Sequence, residues 1–119
     1  MNITHINAGP DGETHLTTID LTLESTGEGV TGVEFGAITA GSVRFRQFDP
    51  GRDLGWHPTP RRQFVLVMAG AVEVTTTDGT VRRFAPGDVF FADDLDSKGH
   101  RTRALDEGCS FASVPCPQR

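Results

Sequence analysis

A succession of short β-type segments separated by tight-turn signals constrains this chain more than any other feature. Residues 63–68 are almost continuously apolar, as expected of a strand that is covered on both faces. Asp78-Gly79 is a strong signal for a two-residue hairpin. We find no helical period longer than a turn or two. The sequence therefore predicts an all-β sandwich or barrel.

The predicted strands and domain limits follow from alternation and turn residues. The strands are expected at 18–23, 42–48, 63–68, 71–77, 80–84, 89–92, 100–105 and 110–114. Ala69-Gly70 is predicted to be a turn between two of them. Residues 1–16 are polar and contain Gly9-Pro10, so they are expected to form a flexible N-terminal arm before a domain at 17–119.

Length, charge and cysteine content exclude several function classes. A chain of 119 residues fits one domain. Acidic residues outnumber basic ones 16 to 11, which argues against nucleic-acid binding. The N-terminal residues lack a basic segment followed by an apolar run, so no signal peptide is expected, and no apolar run is long enough to predict a membrane span. Cys109 and Cys116 are expected to be free thiols, so the predicted location is the cytoplasm.

Residues 51–70 resemble the first cupin motif, in which a glycine, an HxH pair, a glutamate and a second glycine occur at fixed spacing. Gly51, His57, Thr59, Gln63 and Gly70 all fall in register with that motif. Two residue types differ, because Thr59 stands where the motif has its second histidine and Gln63 stands where it has glutamate.

A second, weaker match follows at residues 87–104. Gly87 resembles the opening glycine of the second cupin motif, and His100 resembles its histidine, arriving two residues late. Ala104 stands at the closing asparagine position. The resemblance spans about residues 33–114 and implies a cupin-type double-stranded β-helix, also called a jelly-roll barrel.

The resemblance also implies a site inside the barrel. Cupins with complete motifs bind a divalent metal, so His57, Gln63 and His100 are the expected ligands for Fe, Mn, Zn or Ni. The donor set is reduced to two imidazoles and a neutral amide. The alternative is a metal-free pocket in which His57 and His100 perform acid–base catalysis, because imidazole titrates near neutral pH.

The side-chain directions of the charged residues near this site depend on turn position and strand register. Asp93, Asp94 and Asp96 precede the second histidine and are expected to form a solvated turn. Arg101 and Arg103 should face away from the interior if His100 faces inward. Arg44 and Arg46 pose the same question, because the register of their strand is open.

Three functions remain open from sequence. The first is an enzyme that transforms a small organic molecule by isomerase, cyclase or lyase chemistry. The second is a non-enzymatic sensor or carrier of a small ligand, and the third is a structural dimer with a filled interior. Convergence of His57 and His100 would favour the first. The resemblance implies a homodimer, for which the 18–23 strand would suit as a pairing edge.

Overall fold

The computed structural model describes residues 1–33 and 41–116, which form ten strands. The strands are β1 (Asn2–Ala8), β2 (Thr14–Asp20), β3 (Glu24–Gly27), β4 (Val30–Gly32), β5 (Arg44–Phe48), β6 (Asp53–His57), β7 (Gln63–Thr75), β8 (Val81–Phe84), β9 (Val89–Asp93) and β10 (His100–Pro115). Within these ranges there is no helix, and so none that could cross a membrane. The all-β prediction is confirmed.

Eight of these strands share one mixed sheet. Its order is β2-β1-β9-β7-β10-β5, with β6 joined to β10 and β8 joined to β7. The β1–β9 pair is parallel, whereas the other pairs in this sheet are antiparallel. The strands β3 and β4 form a separate hairpin in the glycine-rich stretch, where the sequence had predicted no strand.

The turn predicted at Ala69-Gly70 is wrong, because β7 continues through it. Gly70 has a φ of 71°, and a Cβ there would lie 2.0 Å from the carbonyl oxygen of Gly108. Strands β7 and β10 are displaced in register at this point, between Ala104 and Cys109. The glycines therefore allow a bulge inside two long strands. For the same reason, the two strands predicted at 100–105 and 110–114 are one strand, β10.

The N-terminal residues also differ from the predicted flexible arm. Residues 2–8 form β1, which lies between β2 and β9, and β2 begins at Thr14, before residue 17. Backbone hydrogen bonds hold β1 to both neighbours, and such bonds place little constraint on side-chain type. The polar sequence of 1–16 therefore concealed a strand pair. Residues 34–40, inside the stretch expected to be β-rich, lie outside the described residues.

The core is an apolar cluster to which β1, β7, β8, β9 and β10 contribute side chains. Its buried members include Val65, Val67, Val72, Val74, Phe84 and Phe90. The rings of Phe84 and Phe90 pack with centroids 4.5 Å apart. Burial of one such side chain stabilises the fold by roughly 1.5–3 kcal/mol. The cluster thus supplies a rigid floor beneath the interior cavity.

Candidate functional site

The interior of the fold contains a cavity of about 210 Å³. This is below the range of about 300–1,000 Å³ that is usual for drug-sized ligands, so it suits a smaller molecule. Its lining combines apolar residues with exposed and buried polar ones, namely Arg44, Arg46, Phe48, Leu54, His57, Thr59, Pro60, Gln63, Val65, Val67, Val72, Phe90, Ala92, His100, Thr102, Cys109, Phe111 and Ser113. These residues enclose open space, whereas a purely structural dimer was expected to have an interior filled with side chains.

The two motif histidines converge in this cavity. His57 is the last residue of β6 and His100 is the first of β10, and the two are register partners across that strand pair. Their ring centroids lie 5.0 Å apart. Both rings can therefore contact one small ligand.

Hydrogen bonds at Nδ1 determine which nitrogen of each ring faces a ligand. His57 Nδ1 lies 2.9 Å from the carbonyl oxygen of Gly55, and His100 Nδ1 lies 2.6 Å from Asp94 Oδ2. A carbonyl or an ionised carboxylate only accepts hydrogen bonds, so each Nδ1 carries the proton in the neutral ring. Nε2 of both rings consequently retains a lone pair.

Asp94 corrects the expectation that the three aspartates form a solvated turn. Its side chain is fully buried, and its carboxylate holds His100. Asp93 is also buried and lies 2.8 Å from Arg62 Nε. Only Asp96, with a φ of 51°, has the backbone conformation of a turn residue. The sequence did contain a signal for this burial. An apolar strand leads directly into Asp93 and Asp94, and the buried stretch that begins in this strand continues through both aspartates.

Thr59 and Gln63, the two departures from the motif, belong to one hydrogen-bonded chain. Asp94 Oδ1 accepts from the Thr59 backbone N–H at 3.3 Å, and the Gln63 amide donates to Thr59 Oγ1 at 3.4 Å. The Arg61 Nε–H in turn donates to Gln63 Oε1 at 3.0 Å. A chain of polar contacts therefore runs from His100 to Arg61.

The donor set only partly fits the divalent metal that the motif implies. His57 and His100 fit, because an oxygen acceptor behind Nδ1 is the usual arrangement for metal-bound histidine. Gln63 fits poorly, since its oxygen already accepts from the Arg61 guanidinium, whose positive charge opposes a bound cation. Among residues 1–33 and 41–116, no cluster of three or more His, Cys, Asp or Glu could hold a metal. The side chains thus supply two available ligands, His57 and His100, whereas the oxygen of the third, Gln63, already accepts a hydrogen bond from Arg61.

Gly99 sets the distance between the loop before β10 and His57. Its φ is 85°, and a Cβ there would lie 2.2 Å from the His57 carbonyl carbon. The buried Thr14 hydroxyl donates to the Gly99 carbonyl at 2.9 Å. The N-terminal strand pair therefore supports the site, a role that the sequence did not indicate.

The arginines divide between the two faces of the sheet. Arg101 and Arg103 face outward as predicted, and form ion pairs with Asp53 and Glu73. The hydrogen bond from Arg101 lowers the pKa of the Asp53 carboxyl to about 2. Arg44 and Arg46 instead line the cavity.

Solved structures share this fold. A protein of unknown function from Rhizobium leguminosarum bv. viciae is 22% identical over 64% of this chain and 69% of its own, with a TM-score of 0.56. KdgF from a Halomonas species is 26% identical over 83% of this chain and 90% of its own, with a TM-score of 0.53. Protein NMB1881 from Neisseria meningitidis is 17% identical over 63% and 72%, with a TM-score of 0.51.

Among curated proteins, no match to this chain was found. A family model, described as the cupin domain, matches residues 44–111. That span includes β5 to β9 and most of β10, and it holds both histidines of the cavity. The chain therefore belongs to the cupin domain family and has its all-β jelly-roll fold, with a cavity for a small ligand.

Proposed function

We propose that the chain is an enzyme that moves protons on a small organic molecule held in the cavity, by isomerase, cyclase or lyase chemistry. One observation carries this proposal: His57 and His100 share the cavity, and both have Nδ1 engaged. Two imidazoles whose Nε2 atoms are available can remove a proton from one substrate atom and return it to another.

Asp94 distinguishes the two histidines. When His100 Nε2 accepts a proton from a substrate carbon next to a carbonyl, the ring becomes an imidazolium. The buried Asp94 carboxylate stabilises that cation through the Nδ1 hydrogen bond. His57 has only a carbonyl oxygen behind it, so its doubly protonated form, with Nδ1–H donating to Gly55, would use Nε2–H to hold the substrate oxygen or to protonate a leaving hydroxyl. His100 is thus the proposed base and His57 the proposed acid.

Solvent-proton exchange tests this assignment without knowledge of the substrate. The chain is incubated in D₂O with small oxo and hydroxy acids, and deuterium entry at carbons next to the carbonyl is followed by ¹H NMR. We expect His100→Gln to lower the exchange rate by about 100- to 10,000-fold. His15→Gln is the control, since His15 is half exposed and does not line the cavity. Exchange that is equal in both variants would refute the assignment.

The main alternative is a non-enzymatic carrier or sensor that uses the same cavity. It predicts binding of such acids without deuterium entry, and the same binding by His100→Gln. The convergence of the two rings favours catalysis over this alternative.

A metal-dependent enzyme is a second candidate, because a buried carboxylate behind His100 is also typical of metal-bound histidine. His57 and His100 would hold the ion and Gln63 would complete the set, and a divalent metal would polarise a substrate oxygen. Elemental analysis of untagged protein decides the matter when it is compared with a His57→Ala/His100→Ala variant. Near-stoichiometric metal that is lost in the variant would establish the site. Metal absent from both after incubation with Fe, Mn, Zn and Ni salts would refute it.

Cytoplasmic location and homodimerisation belong to the same proposal. Both cysteines are free, as suits a reducing compartment. Strand β2 lies at the edge of the sheet, where a second copy could pair with it. Sedimentation of the purified chain would measure the oligomeric state directly.

A further inference from the structure

The side chains of β5 turn two positive charges toward the cavity. Arg44 and Arg46 line it, whereas Phe45 between them is 75% exposed on the outer face. Pairing with β10 sets this direction, because Arg44 lies opposite Ser113 and Arg46 opposite Phe111, and both of those partners also line the cavity. Both arginines are exposed, so they stand at the cavity mouth.

Arg61 adds a third guanidinium, which is near the charges of Arg44 and Arg46 although it is not among the residues that line the cavity. Its Nε–H donates to Gln63 and its Nη1 donates to the Ser42 carbonyl at 3.0 Å, so both acceptors are neutral. Its Nη2 atom is buried and has no hydrogen-bond partner among the residues that the structure describes. Burial and the nearby charges of Arg44 and Arg46 lower the pKa of the Arg61 guanidinium. A buried donor without an acceptor is unfavourable unless a ligand supplies one.

These three guanidiniums, which we call the cationic end, differ from three other arginines of the chain. Arg62, Arg101 and Arg103 each have a carboxylate partner. In the parts of the chain that are described, no carboxylate lies within ion-pair distance of any member of the cationic end. Within those parts the positive charge is uncompensated, although the whole chain carries a net charge of -5.

We infer that Arg44, Arg46 and Arg61 bind an oxyanion, the carboxylate of a small organic acid. This inference rests on the proposed function for its biological meaning, since it names the substrate class of the same cavity. Guanidinium groups form charge-assisted, often paired hydrogen bonds with carboxylates. A carboxylate at the cationic end would leave the rest of the molecule to extend into the cavity that holds His57 and His100. A phosphate group has related chemistry, so the test separates the two.

Titration with simple probes tests the site without requiring turnover. Succinate, its uncharged analogue succinamide and inorganic phosphate are titrated into the chain by calorimetry, and the arginine Nε–H signals are followed by NMR. The variant is Arg44→Gln/Arg46→Gln. The matched control is Arg52→Gln/Arg83→Gln, which removes the same charge from exposed positions outside the cavity.

We expect succinate to bind the parent and the control equally, and to bind the Arg44→Gln/Arg46→Gln variant at least about tenfold more weakly, or ~1.4 kcal/mol. Succinamide should not bind, and the Arg61 signal should shift with succinate. Three results would overturn the inference: no binding of succinate, equal binding of succinamide, or preference for phosphate over succinate. Succinate binding that survives in His100→Gln while deuterium exchange fails in the parent would refute the proposed enzyme and leave the anion site standing.

Discussion

Replacing Gly99 by alanine would place a methyl group against the backbone of His57. The added Cβ would lie 2.2 Å from the His57 carbonyl carbon, 2.4 Å from its oxygen and 2.5 Å from Pro58 N. These neighbours are backbone atoms, so no side-chain rotation relieves the contact. The φ of 85° adds a second strain, because a residue with a Cβ is disfavoured there.

The two effects have separate magnitudes. A left-handed backbone destabilises a residue with a Cβ by about 1–2 kcal/mol. Inserting a methyl group into a packed position costs about 1–3 kcal/mol more. Gly99→Ala should therefore lower the free energy of unfolding by about 2–5 kcal/mol, a large part of the 5–15 kcal/mol typical of small proteins. For a chain of this size, that is a fall in Tm of roughly 8–20 °C.

Gly79→Ala is the matched control for this experiment. Gly79 has a φ of 88°, yet a Cβ there would meet nothing within 4 Å. The control should lose only the backbone contribution, about 1–2 kcal/mol. Thermal unfolding of both variants gives the contact contribution as their difference. Equal falls in Tm would show that Gly99 does not fix the position of His57, and the packing argument would fail.

Three other expectations concern side chains. Asp94→Asn should lower the free energy of unfolding by about 1.5–3 kcal/mol, because it removes a buried charged hydrogen bond. Urea titration measures this loss, and a loss as small as that caused by replacing an exposed aspartate would contradict the expectation. A hydrogen bond from the Thr76 hydroxyl lowers the pKa of Asp78 from 3.8 to about 2. The ionised Asp78 carboxylate should stabilise the fold fully above about pH 4, and this stabilisation should disappear as the pH falls to about 2. The Tm values of Asp78→Asn and the parent should therefore converge over that range. A difference in Tm that stays constant would contradict this expectation. Burial raises the pKa of both cysteine thiols, but Cys109 is buried in the cavity lining whereas Cys116 is partly exposed. Iodoacetamide should therefore modify Cys109 more slowly than Cys116, as mass spectrometry of digests would reveal.

The strand pattern could be predicted wherever side chains alternate or burial is continuous. The prediction at 89–92 agrees with β9 to within one residue, and that at 80–84 agrees similarly with β8. Sequence reasoning failed at β1, where only Ile6 is fully buried and the other side chains are polar or partly exposed, so no alternation marks the strand. It also failed at Gly70, because a glycine inside a bulge and a glycine in a turn look alike in sequence.

The site was predictable in its histidines and not in its supporting residues. His57 and His100 could be located from the spacing of their motifs, and they do converge. Asp94 was misassigned because a short run of aspartates usually marks a solvated turn. The inward direction of Arg44 and Arg46 could not be read from sequence, since the register of β5 depends on its pairing with β10.

The long strand β10 has a consequence for how the molecule opens. It pairs with β7 along one edge and with β6 and β5 along the other, apart from the bulge at residues 105–108. The paired residues cannot separate unless their neighbours do, and their amide hydrogens should exchange only through global unfolding. The β3–β4 hairpin lies in a sheet of its own and can open by itself. Entry and exit of a ligand therefore depend on motion at the rim of the cavity, while His100 remains fixed for as long as the chain is folded.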